Sequence, residues 1–166
     1  MDLQSRPILE IKKTPLEKIL DILAILLFVW NLVYLLMEWS SLPGTIPIHY
    51  NALGIVDGYG DKSTVWILPV VGIILWIGLT TLERFPHVYN YMHLTQENVE
   101  RQYKNARLMI NVTKNFVLAL FVYLDLKMIQ VAYGNETGLG ASFLPITLTL
   151  TFGLTTFFII QSFRLK

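Results

Sequence analysis

Residues 64–82 read TVWILPVVGIILWIGLTTL, 19 residues without one charged side chain. Coiled as an α-helix they extend about 28 Å at 1.5 Å per residue, close to the ~30 Å hydrocarbon core of a bilayer. The stretch has no polar stripe, so it cannot be the amphipathic helix of a water-soluble bundle. Residues 141–163 are also uncharged. Residues 19–37 carry only Asp21 and Asn31 as strongly polar interruptions, and 108–132 carry Lys114, Asp125 and Lys127. The reading is an all-α integral membrane protein, a single domain over 1–166 with four transmembrane helices at about 19–37, 64–82, 108–132 and 141–163.

Composition agrees. Of 166 residues 54% are hydrophobic and 15% charged, against the roughly 25% charged that soluble domains carry. Mean hydropathy is +0.51. A net charge of +1 gives no electrostatic case for nucleic acid. Zero cysteines exclude disulfides, thiolate metal sites and a cysteine nucleophile.

Basic residues set the expected orientation. Arg6, Lys12, Lys13 and Lys18 precede or open the first segment. Arg84, Arg101, Lys104 and Arg107 lie between the second and third, and Arg164 and Lys166 follow the fourth. The 38–63 loop holds only Lys62, and the 133–140 loop holds none. The positive-inside rule then places both termini and the 83–107 loop in the cytoplasm. The N-terminal stretch reads as an uncleaved first helix, since no small-x-small cleavage site follows it. Trp30, Tyr34, Trp39, Trp66 and Tyr133 lie near the expected interfaces.

The outer loop, 38–63, contains LPGTIPIHYNALGIVDGYGDK from Leu42 to Lys62. Short alternating runs at Ile46–Tyr50 and Ile55-Val56 flank the turn residues Asn51-Ala52-Leu53-Gly54, and Asp57-Gly58 reads as a second turn. A small β-hairpin or tight folded loop follows, too small to be stable alone. In the 83–107 loop, Thr95 is an expected N-cap, and Val99, Tyr103, Ala106 and Ile110 form an amphipathic face. That face predicts a surface helix whose Arg101, Lys104 and Arg107 meet lipid headgroups. Thr147, Thr149, Thr151, Gly153, Thr155 and Thr156 give the fourth helix a small-residue surface suited to helix packing.

The order Leu42-Pro43, Ile46-Pro47-Ile48-His49-Tyr50-Asn51, Gly54, Asp57-Gly58-Tyr59-Gly60, Lys62 resembles a bacterial membrane domain of unknown function. That domain is found at the N-terminus of SdpI-type proteins, which give immunity to a secreted killing peptide of sporulating bacilli. The resemblance covers roughly residues 20–90 and implies a multi-pass protein of the bacterial cell membrane. The Gly-Arg-Thr-type motif of the SdpI second half is absent after residue 108, so the chain resembles the small, stand-alone members.

Candidate binding residues are His49, Asn51, Asp57, Asp61 and Lys62 on the outer side, with Asp125 inside the third helix. The outer polar groups could hold a cation or sense pH, or they could make only local turn hydrogen bonds. Asp125 could meet Lys62 or His49, or snorkel outward with Lys127, while Lys114 snorkels inward. No catalytic, cofactor or metal motif is present, so the chain is read as non-enzymatic. Expected partners are the lipid bilayer and either a secreted peptide, bound for protection, or a larger membrane protein to which the chain is an accessory subunit. A third possibility is a small enzyme or ion carrier built on Asp125 and His49.

Overall fold

A computed structural model describes residues 6–165; Lys166, counted above among the basic tail, lies outside the described residues. The chain forms α1 (Pro15–Glu38), a hairpin of β1 (Thr45–Tyr50) and β2 (Val56–Asp61), a 3-10 turn (Lys62–Trp66) running into α2 (Ile67–Leu82), then α3 (Val99–Ala132) and α4 (Phe143–Arg164). Among the described residues four helical stretches are long and apolar enough to cross a membrane. Their outward faces carry Leu26, Val33, Leu36, Ile74, Ile77, Phe152 and Phe157, each about half exposed or more. Such faces suit lipid rather than water.

α1 begins four residues before the expected start. Thr14 and Glu17 form a reciprocal capping box: the Thr14 amide donates to Glu17 Oε2 at 2.6 Å and the Glu17 amide donates to Thr14 Oγ1 at 3.3 Å, with Pro15 at the first helical position. The greater departure concerns the 83–107 loop. No separate surface helix exists there. α3 runs unbroken for 34 residues from Val99, because nothing between 99 and 132 is Gly or Pro. Thr95 and Asn98 exchange hydrogen bonds just before it.

α3 is the hub. Its buried stripe, Tyr103, Arg107, Asn111, Lys114, Leu118, Val122, Asp125 and Ile129, recurs at steps of three and four. One such stripe keeps to a single helical face. α1 answers with Glu17, Ala24, Phe28, Asn31 and Leu35. Ala24 and Phe28 pack on Leu118 and Val122 in mid-bundle. α4 lies on the outside of α3, through Phe143, Thr147, Leu154 and a buried Phe158. Its Thr149, Gly153 and Thr156 are exposed, so this small-residue face is not the one used against α3.

The hairpin is docked, not free. Leu42, Ile46 and Val65 are buried against Leu35, Met128 and Ile129. Lys62 donates to the Trp39 carbonyl at 3.1 Å and sits 4.6 Å above the Trp39 ring. Asp57-Gly58 is not a turn: it lies within β2, where Gly58 pairs with His49 across an irregular register. The turn at 51–54 is clamped by the α3–α4 loop. Leu139 donates to the Gly54 carbonyl at 2.8 Å, and Ile55 bridges Gly138. A Cβ on Gly138 would fall 2.1 Å from the Gly54 oxygen. Gly138→Ala is therefore expected to cost about 1–3 kcal/mol, with amide exchange accelerated at 51–55 and unchanged in the helices.

Candidate functional site

The hairpin end presents His49 and Asp57 side by side. His49 Nδ1 and Asp57 Oδ1 lie 2.5 Å apart, with the two side chains 71% and 43% exposed. Elsewhere on the hairpin and its turn Ile48, Leu53, Ile55 and Tyr59 are also exposed. β1, β2 and the turn are anchored, so these exposed side chains sit on a fixed backbone.

The other candidates at the hairpin end serve the local fold. Asn51 Oδ1 accepts from the Leu53 and Ile55 amides at 2.9 and 3.1 Å. Asp61 Oδ1 accepts from the Ser63 amide at 2.8 Å and caps the 3-10 turn; hydrogen bonding from Ser63 holds its carboxyl below the usual range. Lys62 is taken by Trp39. Among the described residues no three His, Cys, Asp or Glu side chains gather as metal ligands would.

Asp125 meets neither Lys62 nor His49, and it does not snorkel. It is 0% exposed and accepts from Asn31 Nδ2 at 2.7 Å. Its side chain is too short to reach past the helices that enclose it. Lys127 does turn to the hairpin end, where it pairs with Glu136 beside Tyr123.

At the opposite end lies a cluster that sequence reasoning missed. Lys13 Nζ is 2.6 Å from both Asp21 Oδ2 and Glu83 Oε2. Lys114 Nζ is 3.0 Å from Asp21 Oδ1 and 2.8 Å from Glu83 Oε1, and donates to Thr80 Oγ1 at 2.7 Å. Asn111 donates to both acids, and Asn115 donates to Asp21 while accepting from Trp76 Nε1. Two carboxylates thus alternate with two ammonium groups, a neutral arrangement joining α1, α2 and α3. Lys114 is 1% exposed, which overturns the snorkelling expectation: its ammonium finds two buried carboxylates within reach and has no need of the membrane surface. One turn further out, Arg107 donates from Nε and Nη2 to Glu17 at 2.9 and 3.0 Å, and also to the Ile11 and Lys12 carbonyls. It faces inward, not toward headgroups.

Burial works to lower the Lys13 ammonium, but hydrogen bonds to Asp21 and Glu83 outweigh it and hold the group above its usual value. Burial pushes the Tyr50 and Tyr89 hydroxyls up to about 12. All three groups keep their protons more tightly folded than unfolded. Their contribution is complete below the unfolded value, about 10 for tyrosine, and is lost as pH rises through the folded one. A spectroscopic titration should show part of the tyrosine ionising late, together with alkaline unfolding.

Residues 26–73 match the family described as Domain of unknown function (DUF1648). The matched window takes in the end of α1, the whole hairpin and the start of α2; it includes Asn31 but not the charged cluster of α3. An uncharacterised protein of Archaeoglobus fulgidus is 30% identical over 114 residues. That alignment covers 61% of this chain and 60% of the archaeal protein, so the chain spans less than two thirds of its relative. No solved structure matches the chain. The four apolar helices among the described residues make this a multi-pass membrane protein, and its residues 26–73 match a domain of unknown function.

Proposed function

We propose that the chain is a non-enzymatic protein of the bacterial cell membrane whose hairpin faces outward and binds a secreted, membrane-active peptide, protecting the membrane around it. The observation that carries this reading is the anchored hairpin, on which Ile48, Leu53, Ile55 and Tyr59 are 44–64% exposed and the His49–Asp57 pair is exposed as well. Exposed apolar side chains around polar groups mark recognition surfaces. An amphipathic peptide offers both matching chemistries. The orientation rests on the basic residues at the opposite end of the bundle.

The test is survival of cells with and without the chain, exposed to secreted membrane-active peptides. Wild type should protect. A His49→Ala/Asp57→Ala variant should insert normally and fail to protect. Equal sensitivity with and without the chain would overturn the reading.

A second reading, an accessory subunit of a larger membrane complex, is favoured by one feature. The Thr149, Gly153 and Thr156 side of α4 is open, with nothing within 4 Å of a Cβ built on Gly153. Small residues of this kind admit a close helix neighbour in lipid. Stoichiometric co-purification with a larger membrane protein would support it, and recovery of the chain alone would count against it.

A further inference from the structure

Among the described residues, four buried side-chain oxygens lack a hydrogen-bond partner; Glu83 Oε2 is met by the Lys13 ammonium, Tyr50 Oη lies in the hairpin, and the other two, Asn31 Oδ1 and Asp125 Oδ1, lie on facing helices of the bundle. They belong to the two side chains already joined by the 2.7 Å bond from Asn31 Nδ2 to Asp125 Oδ2. Asn31 is 1% exposed and Asp125 0%. We propose that Asp125 binds a proton in the folded protein and donates it to Asn31, closing a ring of two hydrogen bonds between α1 and α3. A protonated carboxyl has one donor and one acceptor, as does one edge of a primary amide. One proton on Asp125 Oδ1 is the single addition that pairs both orphan oxygens at once. Turning the Asn31 amide over does not remove the need, since oxygen would then face oxygen and a proton would still be required between them.

The alternatives fail on space and charge. An ionised Asp125 would be a buried anion with one hydrogen bond and no cation, a costly state. The charged groups of the neighbouring elements are committed elsewhere: Lys127 to Glu136, Lys62 to Trp39, Lys114 to Asp21 and Glu83, and His49 to Asp57. On α1, Tyr34 accepts from Gln130 and Glu38 accepts from Tyr133. Tyr50 of β1 carries a neutral hydroxyl. α2 has no titratable side chain from 67 to 82, and α4 has none from 143 to 163. On the Asn31 side, the void among Phe28, Leu68, Pro69, Leu118 and Val122 is too narrow for a water molecule. A metal cation would find one carboxylate and one amide oxygen, since among the described residues no three His, Cys, Asp or Glu side chains gather as ligands. A proton needs only those two oxygens.

Infrared spectroscopy of the full chain in lipid vesicles at neutral pH tests this. Wild type should show the carbonyl stretch of a protonated carboxylic acid, shifted in D2O and by carbon-13 labelling of aspartate. Asp125→Asn should lose that band, while an amide pair replaces both hydrogen bonds. Asn31→Ala should keep the band but move it, as the acid loses its partner. Wild-type protein without an isotope-shifted acid band would overturn the proposal, and this result depends on no variant folding. Persistence of the band in Asp125→Asn would overturn it equally.

Discussion

Lys114→Met should destabilise the folded protein by about 3–5 kcal/mol, the range for removing one partner of a buried charge pair. Lys114 is one of two cations facing Asp21 and Glu83, and Glu83 is only 2% exposed. Removing it leaves two carboxylates to share Lys13, and leaves Thr80 and the Trp76 face without their cation. Methionine fills a similar volume, so the loss reads charge and hydrogen bonding rather than a cavity. Adding Glu83→Gln restores neutrality and should recover part of the loss, the non-additivity expected of groups sharing one network. Reversible unfolding in mixed micelles, followed by tryptophan emission, checks both variants. A loss below about 1 kcal/mol, the scale of exposed pairs, would show that the cluster is solvated in the working protein.

Arg107→Leu should cost a similar amount, about 3–5 kcal/mol, with a different signature. Arg107 is 3% exposed and holds Glu17, itself 1% exposed, together with the carbonyls of Ile11 and Lys12. Its loss strands the Glu17 carboxylate and releases the segment before α1. Tyr103 and Pro7, joined at 3.4 Å, should separate with it. Limited proteolysis should then cut within residues 8–13 while the helices stay protected. Unchanged protection there would contradict the hold of Arg107 on this segment.

The sequence makes the helices and the hairpin legible because lipid and β-turns impose strong local rules. An uncharged run such as 64–82 has few other homes, and Asn51 to Gly54 places a turn whatever surrounds it. The end of α3 nearest Val99 was not legible in the same way. Arg107, Asn111, Lys114 and Asn115 look like a solvated or snorkelling face when read alone. Their partners, Glu17, Asp21 and Glu83, lie 28 to 94 residues away. The available signal was the spacing: Tyr103, Arg107, Asn111, Lys114, Leu118 and Val122 keep one stripe, so the polar members share the buried face of the apolar ones. Asp125 shows the same point. Its position on that stripe foretells burial, but only the fold reveals Asn31 opposite. Of the outer candidates, the turn roles of Asn51 and Asp61 follow from sequence, whereas the exposure of His49 and Asp57 depends on how the hairpin docks.

The placement of the hairpin outside the cell is the claim on which the functional reading rests, and the cysteine-free sequence makes it directly measurable. Leu53→Cys sits on the exposed hairpin turn, and Met92→Cys on the exposed loop at the opposite end. Intact cells treated with a membrane-impermeant maleimide should label Leu53→Cys at once and Met92→Cys only after lysis. The reverse pattern would put the hairpin in the cytoplasm and contradict recognition of a secreted peptide.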